Sequence, residues 1–560
     1  MKNKHIVPSL LFVFLLLTIA TCPAVAQPWV KKASKSIFTL KTFDAQGTLV
    51  GSAPGVFVGT GGEALSLFAP FRGASRAVVI DASGKEWPVE VLLGANDTYD
   101  VARFRVAMKK CPAVVVAPER AREGSAVWLL PLRESKQAQE GRIRRAEIFN
   151  GDYGYYTLQL PVASVGGGLP LFDDEGRLLA LMQTPMSADT VSYAVSARFA
   201  DSLQMSGLSI NDPALRATDI RKALPRDFSQ AQLTLFVAAS SLDSAAYAQL
   251  VDDFIAQFPE EPEGYVTRAQ FAAGSDRYAD ADADMERALQ TGRKTDETHY
   301  SYSRLVYQKL IYQPEPPYEP WTFDRALQEA EAAYGEKPLP AYRQQQAYIL
   351  FAQQEYRRAA TLYDSLFSSP LRSSELFYEA SRCHLALADT TAYLALLDSA
   401  VSLFSRPYLK EAAPYILARA QGRMDAGRYR DATADFNDYE QLMAQQVNDH
   451  FYYLRFQAEQ GGRLFQQALN DITKAIDLNP RQELYYAEKA SLEVRVGLYD
   501  EAIATAEACI ALAPDYSDGH LFLGLARCLK GQKAEGIKSL QRARELGDTQ
   551  ADGLIEKYGK

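Results

Sequence analysis

The 560 residues hold 69 Asp and Glu against 60 Lys and Arg, a formal net charge of -9, and no basic run stands out. That balance excludes nucleic acid or an anionic lipid surface as the expected partner. Five cysteines in so long a chain are too few for a disulfide framework and lack metal-ligand spacing, so neither metal nor cofactor is expected.

Residues 1–26 hold Lys2, Lys4 and His5, an apolar run over 10–19, and then Ala24-Val25-Ala26. A basic start, an apolar run too short to span a bilayer and small residues at its end describe a secretory signal peptide, cleaved before Gln27. Thr21-Cys22 allows a lipoprotein site, but threonine is a poor residue before the cysteine and an Ala-x-Ala site follows. No later apolar run is long enough for a membrane helix, so the mature chain is expected to have no transmembrane segment. The expected location is the periplasm or cell envelope, or outside the cell.

Residues 27–212 are rich in short β-type runs, clearest at 36–43, 55–58, 64–68, 77–80, 87–93, 101–106, 126–130 and 155–160. Gly, Pro, Asp or Asn part most of them, which predicts an antiparallel barrel or sandwich. Residues 164–182, SVGGGLPLFDDEGRLLALM, read as a tight glycine turn followed by a hairpin.

Local motifs in this stretch resemble HtrA-type trypsin-like serine proteases. GSAPGVFV at 51–58 resembles their G-S-G-F-x-I, and ALSLFAPFRGA at 64–74 resembles A-x-S-N-x-H-V-F-x-G-A. NDTYDVARFRV at 96–106 resembles N-x-x-x-D-L-A-x-x-x-V, and the 164–176 stretch resembles the nucleophile loop. The resemblance implies an all-β trypsin-like double barrel. Carried over by position, it puts Ala69 where the triad histidine stands, Asp100 at the aspartate and Gly167 at the serine.

A serine nucleophile needs a base that takes its proton near neutral pH. The five histidines are His5, His299, His384, His450 and His520, so 27–298 has none. Ser164 is the serine nearest Gly167 in sequence, and the nearest lysines are Lys136 and Lys222. An inactive barrel is expected, with Asp100 as a turn or cap residue; the alternative is an active peptidase with non-standard catalytic residues. SYAVS at 192–196 resembles the late strand that lines the family's substrate cleft, which leaves peptide capture by strand addition open.

Residues 213–243 read as a helical linker and 244–560 as helical repeats. Tyr429, Phe465, Tyr499 and Lys533 stand 36, 34 and 34 residues apart. The same offsets align Ala432, Ala468, Ala502 and Gly536, then Phe436, Ile472, Ala506 and Leu540, then Tyr439, Ala475, Cys509 and Ala543. This resembles the tetratricopeptide repeat and implies an all-α solenoid of about eight or nine units, with an inserted loop at 314–320 and a capping helix at 551–558. Cys509 and Cys528 fall on neighbouring helices, as buried core residues or as a pair.

In the repeat register Gln421, His450, Tyr453, Gln457, Gln460, Ser491 and Arg495 face the concave surface, which in such repeats commonly holds a peptide or partner helix. The set lacks the paired Lys and Arg that clamp a peptide carboxylate in chaperone-binding members. The expectation is an exported binding or scaffolding protein with a protein or peptide partner. Its divisions are 1–26, 27–212, 213–243 and 244–560.

Overall fold

In the first third of the chain, strands in which buried and exposed residues alternate, as over 101–106 and 153–159, stand beside shorter, continuously apolar ones, as over 178–182. The computed structural model describes residues 28–130, 138–160, 166–184 and 191–559; residues 1–26, read above as a signal peptide, Lys136 and Ser164 lie outside them. The chain divides into two units, 1–264 and 265–560.

In the first unit a short helix α1 (Val30–Ala33) precedes β1 (Ile37–Phe43), β2 (Leu49–Phe57), β3 (Glu63–Ser66), β4 (Arg76–Ile80), β5 (Glu86–Asn96) and β6 (Val101–Val106). They close one antiparallel barrel in the order β1-β2-β3-β6-β5-β4. A second barrel has the order β10-β11-β12-β9-β8-β7. Its strands are β7 (Ala126–Leu129), β8 (Gln139–Phe149), β9 (Tyr153–Gln159), β10 (Pro170–Phe172), β11 (Leu178–Met182) and β12 (Ser192–Ser196).

Burial explains the pattern. In β6 Val101, Ala102, Phe104 and Val106 are buried while Arg103 and Arg105 are not. Phe38 meets Phe57 at 4.6 Å between ring centroids, and Phe71 meets Phe104 at 5.3 Å, at the centre of the first barrel. Ile143, Tyr156, Leu158, Leu171 and Ala194 fill the second. Val56, Leu65 and Val101 of one barrel join Phe172, Leu181 and Val195 of the other in a shared apolar layer. The all-β double barrel is observed as expected.

Residues 213–224, read from sequence as part of a linker, are built into the first barrel. Helix α2 (Pro213–Arg216) is a single turn whose N-cap, Asp212, accepts the Ala214 N–H at 2.8 Å. Ala214, Leu215 and Ile220 belong to the barrel core. The Leu92 N–H donates to the Arg221 carbonyl and the Ala223 N–H to the Leu92 carbonyl, both at 2.8 Å. Helices α3 (Phe228–Ala238) and α4 (Ser244–Gln257) follow, packed through Phe228, Phe254 and Phe258.

Helix α5 (Pro262–Ala273) begins before the division of the chain and continues into the second unit. Beyond it are α6 (Tyr278–Gln290), α7 (Thr295–Tyr312), α8 (Phe323–Glu336), α9 (Pro340–Ala352), α10 (Tyr356–Leu366), α11 (Ser374–Ala386) and α12 (Thr390–Ser402). Next come α13 (Ala413–Asp425), α14 (Tyr429–Met443), α15 (Asp449–Gly461), α16 (Phe465–Leu478), α17 (Glu483–Arg495) and α18 (Tyr499–Leu512). Helices α19 (Ser517–Leu529), α20 (Lys533–Glu545) and α21 (Ala551–Tyr558) end the described chain. Tyr429, Phe465, Tyr499 and Lys533 each open the second helix of a hairpin.

The small residues stand where helices touch. Ala432, Ala468 and Ala502 are fully buried. A Cβ on Gly536 would lie 2.4 Å from Cys528 Sγ and 2.8 Å from the Gly524 carbonyl, so only glycine permits this approach of α19 and α20. The four described cysteines are buried and free.

The loop between α7 and α8 is held at both ends. The buried Lys309 ammonium donates to the carbonyls of Gln313, Pro314 and Pro316 at 2.5, 2.7 and 2.6 Å. Asp282 accepts from the Trp321 indole at 2.7 Å and from the Tyr302 and Tyr318 hydroxyls. Among the described residues no helix is long and apolar enough to cross a membrane.

Candidate functional site

The strand end at Ser66 sets the first position. Its hydroxyl donates to the Pro54 carbonyl at 2.7 Å, and the chain then turns through 69–71, with the Pro70 carbonyl accepting Thr42 Oγ1 at 2.5 Å. Ala69 is exposed at the start of that turn. Its N–H donates to Asp100 Oδ1 at 2.6 Å, and the Phe68 N–H bonds the same carboxylate. Burial raises the Asp100 pKa, outweighing these two bonds. Asp100 itself has φ +47°, a left-handed conformation that aspartate tolerates. The carboxylate is thus spent on the backbone of the turn.

Gly167 stands against Thr184. A Cβ there would lie 2.5 Å from Thr184 Oγ1 and 2.7 Å from its nitrogen, so no side chain fits without a shift. The Gly168 N–H donates to the Met182 carbonyl at 2.7 Å, and a Cβ on Gly168 would lie 3.3 Å from Leu67 Cγ. Gln183, beside Thr184, donates its Nε2 to the Tyr99 carbonyl at 3.0 Å. Ala69 and Asp100 thus meet directly, and the Gly167 loop approaches them through Gly168 at Leu67 and Gln183 at Tyr99.

Lys222 is engaged elsewhere. Its ammonium donates to the Thr218 carbonyl, and burial pushes its pKa down. Gly167→Ser is predicted to destabilise the first unit by about 1–3 kcal/mol through overpacking against Thr184. A drop in the melting temperature of its β signal would register this, and an unchanged transition would contradict the geometry.

Beside this site lies an aromatic group that the sequence reading missed. Tyr99 meets Phe149 at 4.2 Å and Phe199 at 5.2 Å, and Tyr155 stacks on Tyr193 at 5.9 Å. The Tyr155 hydroxyl donates to Gln183 Oε1 at 2.6 Å, which ties the group to the Gly167 loop. Tyr153 and Tyr155 share one face of β9, the one local signal of it. Aromatic faces and amide groups offer a surface for contact. Among the described residues no three His, Cys, Asp or Glu side chains converge as metal ligands.

In the second unit, Gln421 lies on α13, His450, Tyr453, Gln457 and Gln460 on α15, and Ser491 and Arg495 on α17. These are the first helices of three successive hairpins, and all seven residues are exposed or half-buried. They are not all free surface. Tyr453 stacks on Phe456 at 5.9 Å and meets Tyr485 at 5.1 Å, while the Arg495 guanidinium lies 5.5 Å from the Phe465 ring centre.

A second missed feature is a repeated ion pair, buried on both sides in two of its three copies. Arg268, Arg419 and Arg455 each grip an aspartate 16 residues on, Asp284, Asp435 and Asp471, through two hydrogen bonds apiece. Each pair ties the two helices of its hairpin.

No family model matches the chain. It is 28% identical over 95 residues to small glutamine-rich tetratricopeptide repeat-containing protein 2 of Saccharomyces cerevisiae, a stretch covering 17% of this chain and 28% of that one. It is 32% identical over 92 residues to DnaJ homolog subfamily C member 7 of Homo sapiens, covering 16% of this chain and 19% of that one. The chain thus spans less than a third of the length of these curated relatives.

Among solved structures it is similar to YrrB, titled a TPR protein with an unusual peptide-binding site, at 16% identity and a TM-score of 0.30, covering 35% of this chain and 99% of that one. It is also similar to a serine endoprotease from Yersinia pestis, at 15% identity and a TM-score of 0.28, covering 32% of this chain and 65% of that one. The strand order of the two barrels and the succession of helical hairpins are the architecture that the motifs imply.

Proposed function

We propose that this is an exported binding or scaffolding protein in which a trypsin-like double barrel has no working triad and the repeat region takes a protein or peptide partner. One observation carries the reading most. Asp100 is bonded to the backbone of Ala69, the position aligned with the catalytic base, and Gly167 has no room for a nucleophilic side chain. With no histidine in 27–298, the barrel lacks the usual base as well. Export rests on the 1–26 signal pattern, with the periplasm or cell envelope as the destination.

A scaffold of first helices bearing polar and aromatic side chains supports partner binding. A peptide array probed with the purified chain lacking 1–26 tests it. A discrete set of bound sequences, weakened when Tyr453 and Gln457 are both changed to alanine, is expected. An array with no bound sequence would contradict the binding role; undiminished binding by the variant would remove α15 from it.

A further inference from the structure

The binding role leaves open which chemistry the repeat region selects. Three adjacent first helices, α9, α11 and α13, present Tyr348, then Glu375, Tyr378 and Glu379, then Tyr415. The Tyr378 and Tyr415 rings meet edge-on at 5.9 Å, and Tyr348 meets Tyr363 of α10 at 6.3 Å. Gln344 donates to the Tyr348 hydroxyl at 2.9 Å and fixes it.

The two carboxylates sit among these rings. Together they push the Tyr348 hydroxyl up, after burial, to about 12, and they raise Tyr415 as well. Arg382 is the cation at hand, paired with Glu379 at 3.0 Å and lying 4.6 Å from the Phe351 ring centre. Among the described residues no cation pairs with Glu375, which is exposed in the first turn of α11.

The Tyr363 hydroxyl is fully buried, has no hydrogen-bond partner and lies in the field of Glu379 and Tyr348. Tyr363 lies in the apolar core behind the Tyr348 ring, so its hydroxyl adds polarity beneath this face without being open to a ligand.

We propose that this face of α9, α11 and α13 takes a lysine or arginine side chain from an extended segment of a partner protein. The inference rests on the binding role above and names its chemistry. A cation gains from the Glu375 carboxylate and from a neighbouring tyrosine ring, and its N–H groups can donate to a tyrosine hydroxyl. An anion gains from neither carboxylate nor ring. Glu379 is already compensated by Arg382, which leaves Glu375 as the carboxylate for the ligand.

The test uses fluorescence anisotropy with the whole chain lacking 1–26. The probes are a fluorescein-labelled peptide of alternating alanine and lysine and its sibling with glutamate for lysine. The lysine peptide should bind, Glu375→Gln should weaken it by about two- to fivefold, and Glu331→Gln, an equal loss of charge on the exposed face of α8, should leave it unchanged. Tyr348→Ala should weaken it similarly. Equal binding of the glutamate peptide, or the same affinity in Glu375→Gln, would overturn the inference. If the array described above still yields bound sequences, the binding role survives that result; if it yields none, both fall.

Discussion

Arg455→Ala should lower the stability of the second unit by about 3–5 kcal/mol, the range for removing one partner of a buried ion pair. Arg455 and Asp471 are each 5% exposed at the side chain and joined by hydrogen bonds of 2.5 and 3.1 Å. The same guanidinium reaches Glu440 at 2.6 Å and the Asn437 side chain at 2.9 Å. Cutting it back takes both guanidinium hydrogen bonds from the buried Asp471 and leaves it the half-exposed Lys474 ammonium, 3.9 Å away. By contrast Arg542–Glu545, with side chains 46% and 60% exposed, belongs to the class of pairs worth about 1 kcal/mol or less. Urea unfolding followed by the helical circular dichroism signal measures both. A loss under about 1 kcal/mol for Arg455→Ala would mean that water reaches this pair.

The second large effect is on pH. Glu459 is 4% exposed at the side chain, its Oε2 has no hydrogen-bond partner, and its nearest cation atom, Arg455 Nε, is 3.9 Å away. Burial first, and then the Asp471 charge, push its pKa up from 4.5 to about 8. The folded chain therefore holds a proton on Glu459 that the unfolded chain has lost.

The sign follows from linkage. This contribution is fully present below about pH 4.5 and is lost as pH rises through about 8. At about 1.4 kcal/mol for each unit of displacement, the loss should be on the order of 5 kcal/mol. Glu459→Gln keeps a neutral group of the same shape. The variant should unfold at higher urea than the parent at pH 9 and match it near pH 5. Parallel pH profiles for the two would contradict the burial of that charge.

How far the sequence disclosed this structure depended on what each residue faces. Strands such as β6 were legible because buried Val101, Phe104 and Val106 alternate with arginines. Strand β8 was not, since only Gly141 and Ile143 of its eleven residues are buried and the rest read as a charged loop. Residues 213–224 misled for the opposite reason. Their proline and aspartate signal a break, while the apolar Ala214, Leu215 and Ile220 gain their meaning from a barrel core far away in sequence.

The repeat register was readable because aromatic and small residues recur at the helix starts and contacts. The candidate barrel site was half legible. Motif order located Ala69, Asp100 and Gly167, but the crowding of Gly167 depends on Thr184, on the far side of a hairpin. The arginine–aspartate pairs 16 residues apart needed the hairpin geometry before their spacing meant contact.

Casein cleavage by the purified chain lacking 1–26, run beside the same chain carrying Ser164→Ala, tests the central claim most directly. Neither protein should release peptides above the buffer control. Cleavage that follows the protein through purification would contradict the account, and its persistence in the variant would place the nucleophile away from Ser164.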